Sequence, residues 1–94
     1  MGDRTPLIAG NWKMNLTLDD SVNLVKAITE GIQDLNDVDV LVAPPFTSLH
    51  TVKKAIGNSR IALAAQNMHW EAAGAFTGEI SGPMLVETGC THVI

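Results

Sequence analysis

Val38-Asp39-Val40-Leu41-Val42-Ala43-Pro44-Pro45 is an apolar run cut off by two prolines. Proline cannot donate to a strand ladder, so the run reads as a strand that ends at Ala43. A strand that is apolar almost throughout belongs in a parallel sheet covered on both faces. On its N-terminal side, Val22, Val25, Ile28 and Ile32 recur every three or four residues. That spacing predicts one buried face of a helix from about 18 to 33. Thr17 precedes Asp20 at the spacing of a capping box, and Asp19 and Asp20 fall in the first turn, where the helix dipole favours anions. Leu7-Ile8-Ala9-Gly10, after Pro6, reads as an earlier strand.

On the C-terminal side, Thr47 or Ser48 is expected to cap a second helix. Leu49, Val52 and Ile56 line its face, Lys53 and Lys54 its exposed side, and Gly57 its end. Ile61-Ala62-Leu63-Ala64-Ala65 is a third strand, followed by a long polar connection from 66 to about 80. Ser81 caps a short helix with Pro83 in its first turn, Gly89 ends it, and Cys90-Thr91-His92-Val93-Ile94 begins a fourth strand. The order βαβαβαβ means an α/β fold with parallel strands and right-handed crossovers. A doubly wound sheet and a closed barrel both fit this order. The chain stops inside an apolar strand, which would leave an uncovered edge. We take this as an expectation of truncation.

The 94 residues are 46% hydrophobic, with six Lys and Arg against ten Asp and Glu for a net charge of −4. A mildly acidic chain without a basic run argues against nucleic acid or a membrane surface as partner. The lone cysteine, Cys90, forms no intrachain disulfide and no zinc cluster, and reads as a small buried residue of a reducing cytoplasm. No apolar run reaches about 18 residues, and Met1-Gly2-Asp3-Arg4 lacks the apolar stretch of an export signal. The expectation is a soluble cytoplasmic protein, with residues 1–94 forming one unit.

In parallel α/β folds ligands gather at the C-terminal ends of the strands. Lys13 stands just beyond the first strand and could supply a fixed positive charge for an anion, with the Asn11 amide beside it. Spacing alone also allows a solvated loop lysine. His50 reads as solvent-facing on its helix, His69 as a packing residue beside Trp70, and His92 as part of the last strand. No two of them have metal-ligand spacing. Gly74, Gly78 and Gly82 follow a loop and not a strand–helix turn, so they make no dinucleotide signature. Connections as long as this one are usually functional. Phe76 at its tip invites burial either in a partner or back on its own chain.

Four segments, in order, resemble the triosephosphate isomerase family: Ala9-Gly10-Asn11-Trp12-Lys13-Met14-Asn15, Val42-Ala43-Pro44-Pro45-Phe46, Ala65-Gln66-Asn67, and Gly74-Ala75-Phe76-Thr77-Gly78-Glu79-Ile80-Ser81. The resemblance runs from about 6 to 94. It implies part of a TIM (β/α)8 barrel, comprising three βα units and the fourth strand, not closed within one chain. It implies an isomerase of glycolysis and gluconeogenesis that interconverts dihydroxyacetone phosphate and glyceraldehyde 3-phosphate without metal or organic cofactor. Lys13 would be the catalytic and substrate-binding lysine, with Asn11 positioning the same triose phosphate. The family's carbonyl-polarising histidine and glutamate base match no residue here, so the isolated chain is expected to be inactive. The resemblance also implies a homo-oligomer in which Gln66, Phe76, Thr77, Gly78 and Glu79 lie at the subunit interface, Thr77 beside the Lys13 of another copy. The alternative is a non-catalytic self-assembling α/β module. The sequence encoded after Ile94 separates the two: a His-Ser-Glu segment favours the enzyme, a stop the module. A small flavodoxin-like anion-binding domain fits the element order but leaves the segment from Gly74 to Ser81 unexplained.

Overall fold

A computed structural model describes residues 4–94; the first three, part of the start read for an export signal and of the 1–94 unit, lie outside the described residues. The strands are β1 (Leu7–Asn11), β2 (Asp39–Ala43), β3 (Ala62–Ala65) and β4 (His92–Val93). The helices are α1 (Leu18–Gly31), α2 (Leu49–Ile56) and α3 (Gly82–Thr88). The strands form one parallel sheet in the order β1-β2-β3-β4. Each neighbour in space is the next strand in sequence, the topology of a barrel wall and not of a doubly wound sheet, whose order reverses.

The register separates the two faces of the sheet. Gly10 pairs with Val42, and Val42 with Leu63; Ala9 pairs with Leu41, and Leu41 with Ala62. Val42, Leu63 and Ala65 pack with Trp12, Val25, Leu49, Val52, Ile56 and Leu85, so this face carries the helices. Leu41, Ala43 and Ala64 form a second, smaller cluster on the opposite face, joined by half-buried Ala62. The small residues of this second face suit the crowded interior of a barrel.

Three expectations about the elements need correction. Thr17 sits at the N-cap of α1 but makes no capping bond. Its hydroxyl donates instead to Asp20 Oδ2 at 3.3 Å, so the reciprocal bonding of a capping box is missing. Neither Thr47 nor Ser48 caps α2 through its side chain: Phe46–Ser48 form a 3₁₀ turn that runs straight into the helix. Ser48 is already in the right-handed helical region, where its hydroxyl cannot cap. Cys90 is only half-buried, with Thr88 Oγ1 at 3.5 Å from its sulfur. Other local signals hold. Ser81 Oγ accepts from the Met84 N–H, Pro83 lies in the first turn of α3, and Gly89 closes that helix at φ 98°. His50 and His92 are exposed.

Candidate active site

The C-terminal ends of β1, β2 and β3 lie side by side, and the chain's polar groups gather there. Trp12 extends the ladder by donating its N–H to Ala43 O at 3.1 Å, while its side chain is buried in the helix-side core. The chain then has to turn sharply. Lys13 does so at φ 54° and Leu16 at φ 76°, both in the left-handed region that L-residues rarely occupy. Such conformations persist where the surroundings over-determine them.

At Lys13 those surroundings are side chains. Its N–H donates to Asn11 Oδ1 at 2.9 Å, and its carbonyl accepts from Gln66 Nε2 at 2.8 Å. The same Gln66 nitrogen donates to Ala43 O, also at 2.8 Å. One residue upstream, the Trp12 carbonyl accepts from Asn15 Nδ2 at 2.8 Å. The Lys13 backbone is thus bound on both sides while the residue itself stays exposed. With its carbonyl oxygen occupied by Lys13, the Asn11 amide has its two N–H groups left to donate. An ammonium carried on a braced backbone, two residues from an amide with free donors, is an arrangement that suits an anion.

The structure therefore brings together Asn11, Lys13 and Gln66 among the residues singled out by sequence. Phe76, Thr77, Gly78 and Glu79 sit apart, on the exposed loop after β3. The base of that loop is pinned by the His69 N–H donating to Ile80 O at 2.7 Å and by a parallel bridge between His69 and Ser81. Its tip turns on the Glu79 N–H to Phe76 O bond at 3.0 Å. The His69 ring lies 4.4 Å from that of Trp70 and 4.2 Å from that of Phe76, the packing role expected of it. Phe76 folds back in part: it rests on His69 but remains 42% exposed. Gly74 has a φ of 143°, and a Cβ there would come within 2.5 Å of Phe76 Cε2, so a side chain at this position has to displace the ring. A cavity of about 120 Å³ beside this loop is lined by His69, Glu71, Phe76 and Glu79 among others, and His69 Nε2 is buried without a hydrogen-bond partner.

Sequence reasoning missed the intrachain bonds of Gln66 and Asn15. A carboxamide directly after the last residue of β3, level with the ends of β1 and β2, was the available signal. Among the described residues no group of three or more His, Cys, Asp or Glu is placed to hold a metal ion. No helix among them is long and apolar enough to cross a membrane.

The sequence model of the triosephosphate isomerase family matches residues 6–94. A triosephosphate isomerase of Trichlorobacter lovleyi is 50% identical over 91 residues, covering 97% of this chain and 36% of that protein. One of Herpetosiphon aurantiacus is 52% identical over the same shares of each chain. The crystal structure of triosephosphate isomerase from Bartonella henselae superposes with a TM-score of 0.88 at 40% identity, over 96% of this chain and 37% of that one. The chain thus spans a little over a third of the length of the relatives it matches.

Proposed function

The chain belongs to the triosephosphate isomerase family, and we propose that it carries the substrate-lysine side of that family's active site. Its parallel sheet is part of a (β/α)8 barrel. The reaction moves a proton between adjacent carbons of a triose phosphate, through an enediolate whose negative charge adds to that of the phosphate. In this reading the Lys13 ammonium offsets both charges, and Asn11 donates its amide to the same substrate. The observation that carries the reading is the left-handed Lys13, exposed at the end of β1 with its N–H held by Asn11. Strain at an exposed residue, held by two other side chains, suits a group that must be aimed.

Lys13 and Asn11 do not perform the proton transfer. Triosephosphate isomerase is itself the standard example of how that work is divided, between a glutamate base and a neutral histidine that polarises the carbonyl. General acid–base groups are each worth about 10²–10⁴-fold. The 94-residue polypeptide by itself is therefore inactive in our reading, and contributes its site only within a complete barrel. In that setting the enzyme is cytoplasmic, acts in glycolysis and gluconeogenesis, and requires no cofactor. The loop tip, with Phe76, Thr77, Gly78 and Glu79, packs on a second copy, Thr77 beside its Lys13.

Two measurements test this. The polypeptide should give no turnover of glyceraldehyde 3-phosphate above the uncatalysed rate. It should bind glycerol 3-phosphate, the reduced analogue of a triose phosphate, which has no carbonyl and cannot isomerise, and Lys13→Met should weaken that binding by about tenfold or more, as loss of a charged hydrogen-bond donor does. Unchanged affinity in the variant returns Lys13 to a solvated loop residue.

A second reading, a self-assembling α/β module, is favoured by one feature. Edge strand β1 exposes Leu7 and Ile8 by 48% and 57%, beside an apolar groove lined by Ile8, Trp12, Ile28, Ile32 and Val40. Uncovered apolar surface at a sheet edge promotes association. Self-association in sedimentation with no affinity for glycerol 3-phosphate supports the module; self-association with affinity supports the enzyme portion.

A further inference from the structure

We propose that Gln66 is the positioning residue for Lys13, its carboxamide fixing the backbone from which the ammonium group reaches substrate. This deepens the reading above and rests on the substrate role given there to Lys13. Gln66 stands 53 residues beyond Lys13 in sequence and is half-buried where β3 ends. Its Nε2 donates to Lys13 O and to Ala43 O, each at 2.8 Å. A side-chain amide nitrogen carries two hydrogens, so it serves two carbonyls at once with none left over. Ala43 O also accepts the Trp12 N–H at 3.1 Å, so both of its lone pairs are engaged. Gln66 thereby ties the loop after β1 to the end of β2 from a position just beyond β3.

Lys13 needs that tie. Its φ of 54° is unfavourable for a residue with a side chain, and Asn11 restrains only its N–H. Without the Gln66 donors the Lys13 carbonyl is free to swing, and the residue can relax towards negative φ. The side chain would then leave the loop in a different direction. The nearest relatives fail this test: glutamate matches the length but donates to neither carbonyl, and asparagine is one methylene shorter.

The test uses isotope-labelled 94-residue chain and its Gln66→Met variant, which keeps the side-chain length and removes both donors. In the wild-type chain, NMR should show couplings across hydrogen bonds from Gln66 Nε2 to the Lys13 and Ala43 carbonyl carbons. It should also show carbon shifts and a strong intraresidue amide–Hα contact at Lys13, both typical of left-handed φ. In Gln66→Met the left-handed signature at Lys13 should vanish while the β2–β3 register stays. Affinity for glycerol 3-phosphate should fall about tenfold, to near that of Lys13→Met. A folded Gln66→Met chain that keeps the signature, or binds within about twofold of wild type, overturns the proposal. Should the variant fail to fold, missing couplings and rapid exchange of the Gln66 amide protons in the wild-type chain overturn it equally. A wild-type chain with these couplings and no affinity for glycerol 3-phosphate instead removes the substrate role of Lys13 and leaves the brace standing as structure only.

Discussion

Replacing Lys13 by glycine should make the protein more stable than replacing it by alanine. In a helix or strand interior the opposite holds, because glycine loses more conformational freedom on folding, at a cost of about 0.5–1 kcal/mol. At Lys13 the order inverts, because φ is 54°. The left-handed region costs an L-residue about 1–2 kcal/mol, and glycine none. Subtracting the entropic term leaves glycine ahead by about 0.5–1 kcal/mol. Little else changes between the two variants. The residue is exposed, so neither loses packing, and Asn11 and Gln66 bond to its backbone, which both variants keep. Urea unfolding followed by the fluorescence of buried Trp12, at one fixed protein concentration, measures the difference. With a slope of about 1 kcal/mol per molar urea for a small chain, the midpoints should differ by about 0.5–1 M. Both variants should lose affinity for glycerol 3-phosphate. If Lys13→Gly is no more stable than Lys13→Ala, the backbone at this position is unstrained and the reasoning that ties strain to aiming collapses.

Three further outcomes can be checked. Leu63→Ala removes a side chain only 2% exposed at the centre of the helix-side core, and should cost about 2–5 kcal/mol by thermal or urea unfolding. Ser81→Ala removes the acceptor for the Met84 N–H at 3.3 Å, and should cost about 1 kcal/mol by the same measurement. Gly74→Ala puts a Cβ where Phe76 Cε2 now lies, so the Phe76 ring should leave His69, seen as loss of ring-current shifts at the His69 protons with the sheet unaffected.

The strand and helix order was legible because apolar runs and three-to-four spacing are local and repeated. Val42 and Leu63 on one side, and Leu49, Val52 and Ile56 on the other, meet as the pattern implies. The sheet order was not legible in the alternation of elements and came only from the resemblance, which implied part of a barrel. A doubly wound sheet and a barrel share the same alternation, and only the pairing of β1 with β2, β2 with β3 and β3 with β4 separates them. Helix starts were partly misread. Ser81 caps as expected, but the backbone after Pro45 makes a 3₁₀ turn in which Ser48 already holds right-handed helical angles, where its hydroxyl cannot cap. Lys13 and Asn11 drew notice from their place at the end of the first strand, which left a solvated loop lysine open, and the resemblance supplied the role proposed for them. Gln66 could not be assigned to Lys13 in the same way, because a hydrogen bond between residues 53 positions apart leaves no periodic trace.

The central claim is that this chain presents a triose phosphate site at the ends of its parallel strands, with Lys13 as the charged member. Amide and side-chain NMR shifts mapped along the 94-residue chain during titration with glycerol 3-phosphate test it most directly. The claim predicts saturable shifts at the Lys13 amide and the Asn11 side chain, with α2 unmoved. Shifts centred on His50 and Lys54 of α2, or none at Asn11 and Lys13 at any ligand concentration, would contradict it.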